Sequence, residues 1–145
     1  MLYFISMIID SEIKKKLTRE GVVTLYLFGS RVYDLEHSES DFDFGVLVKN
    51  PSVVNTISKK QALYLKLFDI LSDAIHSMQA NPVIDIVFLQ EDVSLELKAH
   101  VISKGVVLFD SDPNLRAYFE EYIMIRMADF RSILNEMDKA ILNRI

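Results

Sequence analysis

Residues 27–48 read LFGSRVYDLEHSESDFDFGVLV, and the organisation of the chain can be worked out from this stretch. Its left end completes the run Val22-Val23-Thr24-Leu25-Tyr26-Leu27-Phe28, which is β-branched and aromatic, too short for a buried helix and bounded by Gly21 and Gly29. That is the pattern of a buried strand. The right end, Asp41 to Val48, alternates before turning wholly apolar and reads as a second strand. Between them Arg31 to Ser40 is polar and turn-like. Asp41 and Asp43, two positions apart on a strand, send both carboxylates to one face while Phe42 and Phe44 take the other. Like charges held this close raise each other's proton affinity unless a cation lies between them, and hard divalent ions such as Mg²⁺ favour oxygen ligands. Gly29-Ser30 closes the first strand. A glycine lets a phosphate approach the backbone, and a serine hydroxyl with the N–H groups opening a helix can hold its oxygens. Taken singly, each feature has a plainer reading as a turn, a helix cap or an edge-strand position. Together they describe an anion cradle at the end of one strand and a metal site on the next.

Working outward, Ile8, Ile9, Ile13 and Leu17 recur at helical spacing and predict an amphipathic helix from Ile8 to Arg19, stopped by Gly21. Downstream, Pro51 and Ser52 mark a loop. Leu63, Leu67, Ile70, Leu71, Ala74 and Ile75 then predict a long helix over Ile57 to His76. After Asn81-Pro82, Val83 to Leu89 is a third strand, apolar on both faces except at Asp85. An ionised carboxylate left unpaired between Ile84 and Ile86 would cost several kcal/mol, so Asp85 is expected to find a salt-bridge partner or to join the same metal site. A helix from about Asp92 to Lys104, a short strand Val106 to Phe109, and a last helix capped by Asp112-Pro113 and running over about 113–143 complete the chain. The class is therefore mixed α/β (α+β), with helices packed on a small sheet, in one domain spanning 1–145.

The composition agrees. Of 145 residues half are hydrophobic and 26% charged, with four Gly and three Pro, which excludes disorder and low-complexity repeats. A net charge of -5 opposes indiscriminate attraction to nucleic acid or anionic membrane. With no cysteine, thiolate catalysis and Cys-ligated zinc are excluded. No segment reaches the roughly 18 to 20 apolar residues of a membrane span, and Met1 to Ile9 lacks a basic leader, so a cytoplasmic protein is expected. His76 and His100 sit in predicted helices too far apart for a local metal motif, and His37 lies in the loop before Asp41, within reach of a nucleotide or simply exposed.

The stretch Leu27 to Val48 resembles the nucleotidyltransferase signature: Gly-Ser (Gly29-Ser30), ten intervening residues (Arg31 to Ser40), then Asp-x-Asp (Asp41 and Asp43). The rest of the chain resembles the minimal nucleotidyltransferases, the small antitoxin-type members paired with helical HEPN toxins, whose third aspartate lies on a later strand, as in Ile84-Asp85-Ile86-Val87. The resemblance extends to Gly105–Pro113 and the closing helix. It implies a DNA polymerase β-like fold and two Mg²⁺ ions held by Asp41, Asp43 and Asp85. It also implies ATP as donor, bound at Gly29, Ser30 and Arg31, and a HEPN toxin partner whose tyrosine hydroxyl receives AMP. In that scheme Asp85 also serves as general base. Members of the family often carry glycine near the position of Asp34; an acidic group there repels phosphate unless it points away, and Arg31 offsets it.

Leu115, Tyr118, Phe119, Tyr122, Met127, Phe130, Leu134, Met137 and Ile141 give the last helix an apolar, aromatic-rich face about seven turns long. It either packs on its own sheet or docks a partner helix with its distal part. Two further functional readings remain open at this level. One is nucleotide transfer to a small hydroxylated molecule such as an aminoglycoside, for which the chain leaves little room for a substrate-binding domain. The other is a non-catalytic module that neutralises its partner by covering it.

Overall fold

The structure, a computed structural model, describes residues 9–29, 41–76, 78, 81–91 and 93–144. Strands β1 (Val22–Phe28), β2 (Phe42–Val48), β3 (Ile84–Phe88) and β4 (Val106–Asp110) form a sheet in the order β3-β2-β1-β4. β1 is antiparallel to both β2 and β4, whereas β2 and β3 are parallel. A parallel pair needs a crossover, and here it is made by a 3-10 turn at Pro51–Val54 and helix α2 (Ile57–Ile75). Helices α1 (Ser11–Arg19), α3 (Leu95–Lys104) and α4 (Pro113–Leu142) complete the order. The expected mixed sheet with helices and a long final helix is what forms.

Alternation along the strands divides the apolar side chains between two faces. On one, Leu25, Leu27, Phe42, Phe44, Ile84 and Ile86 meet residues of α1 and α2, including Leu17 and Leu67. The rings of Phe42 and Phe44 stack there at 6.2 Å. On the other, Tyr26 and Phe28 pack with Val101 of α3, flanked by Leu97 and by Phe119 of α4. The sheet is thus the middle of three layers, each face burying the apolar area that supplies most of the driving force.

Side-chain caps decide where the helices begin. Asp10 accepts from the Ile13 N–H at 3.0 Å, so α1 opens at Ser11 rather than Ile8, with Ile9 buried ahead of it. Ser94 accepts from the Leu97 N–H at 3.1 Å, which starts α3 at Leu95 rather than Asp92. Asp112 accepts from the Leu115 N–H at 3.2 Å with Pro113 in the first turn, as expected. Each such cap contributes about 1 kcal/mol.

Two side-chain clamps fasten the sheet, one between its own strands and one to α4. Just beyond β3, the Gln90 amide accepts from the Val48 N–H at 2.8 Å and donates to the Val48 carbonyl at 2.5 Å, extending the β2–β3 ladder. On the α4 side, the Tyr26 hydroxyl donates to Glu120 Oε1 at 2.7 Å. Arg116 bridges Asp110 at 2.5 Å and Glu120 at 3.3 Å. Burial, then the hydrogen bond to Glu120, push the Tyr26 phenol far above its ordinary range, so it stays a donor at any working pH. The first half of α4 is held to the sheet in this way, and Ile123 is buried. From Arg131 to Arg144 every residue is exposed. Among the described residues no helix is long and apolar enough to cross a membrane.

Candidate functional site

Gly29 ends β1 with φ at +77°, a left-handed conformation that glycine adopts without penalty. Phe28, the residue before it, is the register partner of Asp43 on β2, and Asp43 is in turn the register partner of Asp85 on β3. Residues directly opposite on neighbouring strands project to the same face about 4.8 Å apart. Asp43 and Asp85 therefore stand side by side on the face carrying α3 and α4. Asp41 precedes β2 by one residue and is exposed.

A Cβ built on Gly29 would collide with the Oδ2 of Asp43. The carboxylate lies against the bare α-carbon, so this position excludes a side chain on grounds of space as well as backbone conformation. On the other side Gly45 is the next residue of β2 on that face, and a Cβ there would come within 2.9 Å of Val101 Cγ1. α3 thus presses on the sheet one pleat from Asp43 and closes that flank.

Burial, then the charge of Asp85, then that of Asp41, hold the Asp43 carboxyl above the usual carboxylate range. The two neighbouring charges add to burial in the direction expected of an acidic group beside others. Asp85 departs from its expected environment. It is exposed, on the edge strand β3, so it bears no burial cost that demands a partner. The desolvated member of the trio is Asp43.

Ser30 and Arg31, and with them Tyr33, Asp34 and His37, lie outside the described residues. His76 and His100 are exposed, at the end of α2 and on α3. Sequence reasoning missed Tyr64 of α2. Burial and the nearby charge of Asp85 push its phenol up, while the Ile86 N–H pulls it down, which sets the hydroxyl at the outer edge of β3 beside the site. A tyrosine next to the core residue Leu63 carried no signal of this.

Among the described residues no three His, Cys, Asp or Glu side chains are gathered tightly enough to hold a metal ion outright. The carboxylates form an open acidic patch rather than a closed cage. Their chemistry still fits a hard divalent cation: the donors are oxygens only, and the repulsion that raises Asp43 is what such an ion relieves.

Residues 11–114 match the family model described as polymerase beta, nucleotidyltransferase. No curated protein matches the chain. Solved structures similar in fold include a toxin-antitoxin with AMP-PNP, at 22% identity and TM-score 0.56, covering 91% of this chain and 94% of that one. They also include two mutants of the toxin-antitoxin MntA-HpeT, each at 22% identity and covering 91% of this chain and 93% of theirs, at TM-scores of 0.54 and 0.55. The matched segment holds the glycine strand end and all three carboxylates, and takes in most of the chain. The chain belongs to the polymerase beta nucleotidyltransferase family.

Proposed function

We propose that the protein is an antitoxin that moves AMP from ATP onto a tyrosine hydroxyl of a cognate HEPN-type toxin and so neutralises it. The observation that carries this reading is the register of Asp43 with Asp85, with Asp43 seated against Gly29 at the end of the sheet. The family match supports nucleotidyl transfer, and the toxin-antitoxin structures of similar fold, one of them with AMP-PNP, support the partner and the donor.

In the proposed reaction the acceptor hydroxyl oxygen attacks the α-phosphorus of ATP. A new O–P bond forms, the bond from the α-phosphorus to the bridging oxygen breaks, and pyrophosphate leaves with that electron pair. The hydroxyl proton passes to the Asp85 carboxylate, which is exposed at the sheet edge. Asp41, Asp43 and Asp85 would hold Mg²⁺, whose contribution when bound is to neutralise polyphosphate charge and lower the pKa of the attacking hydroxyl. Gly29, Ser30 and Arg31 bind the nucleotide tail, while the bare α-carbon of Gly29 makes room for the Asp43 carboxylate beside it. Catalysis is then positioning and charge stabilisation, with no covalent enzyme intermediate.

Incubation with labelled ATP, Mg²⁺ and a co-encoded helical partner tests the proposal: label on the partner, lost in Asp41→Asn and Asp43→Asn, is the expected result. Equal labelling by those variants overturns the assignment of the carboxylates. Inhibition of the partner with no transfer establishes a covering module instead.

A further inference from the structure

We infer that the distal half of α4 pairs antiparallel with the same segment of a second copy of this chain. Past Phe130 the helix leaves its own domain, and residues 131–144 are all exposed. An unsupported helix end of about three turns is only marginally stable in water. This one is not polar all round. Ile123, Met127, Phe130, Leu134, Met137 and Ile141 follow one another at spacings of four, three, four, three and four, which is a heptad seam. The seam begins in the core, where Ile123 is 2% exposed, and runs out to Leu134, Met137 and Ile141 at 41%, 55% and 56%.

Charge decides which partner fits it and how. Arg131 and Asp138 flank the seam on one side, Ile133 and Ala140 on the other, and among the described residues neither Arg131 nor Asp138 has an ion-pair partner in its own chain. In an antiparallel pair with Leu134 opposite Met137 of the second copy, Phe130 meets Ile141 and Ile133 meets Ala140. Arg131 then meets Asp138, and two-fold symmetry makes every one of these contacts twice. Sliding the register so that Phe130 faces Leu134 brings Arg131 onto Arg131. Parallel pairing brings Arg126 onto Arg131, because in that arrangement flanking positions five apart meet. One arrangement of two identical helices therefore matches charge and apolar layers together, which is what marks the second copy as the occupant. The seam is short, so the dimer is expected to be micromolar, at the weak end of specific interfaces. The inference does not rest on the proposed transfer reaction.

Sedimentation equilibrium of the full chain tests it. The expected mass rises from 16.7 kDa toward twice that value as concentration increases from about 1 to about 500 μM. Leu134→Glu with Met137→Glu, both exposed in the single chain, leaves helicity and melting of the domain intact and weakens dimerisation at least about a hundredfold. Arg131→Glu or Asp138→Arg weakens it about tenfold, and the two together restore it to within about twofold. Because the chain has no cysteine, Ile133→Cys with Ala140→Cys on oxidation gives a disulfide-linked dimer; the two positions are about 10 Å apart along one helix and cannot bridge within it. A wild type that stays monomeric at about 500 μM overturns the inference, as does a dimer that survives Leu134→Glu with Met137→Glu. Failure of the charge exchange to restore association overturns the register. A monomer that uses the same face only to bind a HEPN protein assigns the face to that protein and refutes self-pairing. Absence of nucleotide transfer leaves every one of these readouts unchanged.

Discussion

The carboxylate of Asp43 occupies the space that a side chain at Gly29 would fill. The glycine that ends β1 and the aspartate opposite its neighbour Phe28 are thus one structural unit, although fourteen positions separate them in sequence.

Gly29→Ala is therefore expected to do two kinds of damage. The alanine must hold a φ of +77° and displace the carboxylate of Asp43, at a combined cost of about 1–3 kcal/mol. Urea unfolding reads the stability loss. Nucleotide transfer should fall more than the stability change accounts for, because the displaced carboxylate no longer faces Asp85 as it does in the wild type.

Asp43→Asn separates stability from activity. In the folded protein the Asp43 carboxyl titrates above its usual range, chiefly through burial and then through Asp85. Between its ordinary and its raised pKa the folded state binds more protons than the unfolded one, so stability falls as pH rises through that window. Above it the cost of the ionised form is fully present. The asparagine variant should be more stable than wild type at neutral pH, with the difference vanishing as pH falls below the ordinary carboxylate range. Unfolding curves across pH 3 to 8, as an approximate span, measure this. Transfer should drop by about two orders of magnitude or more.

Divalent cation should act in the opposite direction to ionisation. Under the proposed metal assignment Mg²⁺ would relieve the repulsion around Asp43, so its addition should raise the wild-type melting temperature and chelation with EDTA should reverse the gain. Asp43→Asn and Asp85→Asn should each blunt the response. An identical rise in all three proteins would place the ion elsewhere, and scanning fluorimetry over a Mg²⁺ titration distinguishes the outcomes.

The clamp on α4 gives a test away from the site. Tyr26→Phe removes the donor to Glu120 and should cost about 1 kcal/mol, whereas Arg116→Ala strips both Asp110 and Glu120 of their cation and should cost somewhat more. Because all of them share Glu120, the double variant should cost less than the sum, and a double-mutant cycle by denaturant unfolding measures that coupling.

Much of this was legible in the sequence where local rules decide. β1 has the bounds expected of it, Val22 to Phe28, because Gly21 and Gly29 both take left-handed conformations that end the strand. α2 ends at Ile75, one residue short of the expected His76, which caps it. What local rules cannot decide is which element lies on which. The exposure of Asp85 follows from β3 being at the edge of the sheet, a fact of strand order that Ile84 and Ile86 do not encode. Tyr64 reaches Asp85 only because α2 lies beside that edge. The stripe on α4 shows the same limit: helical periodicity says that Leu134, Met137 and Ile141 share a face, whereas what covers that face is a property of the surroundings.

Among the described residues β3 is laddered to β2 alone, with Tyr64 of α2 at its outer edge, whereas β2 is laddered on both sides. Of the two neighbouring carboxylates, Asp43 is thus anchored on an inner strand laddered along both edges and Asp85 on a border strand.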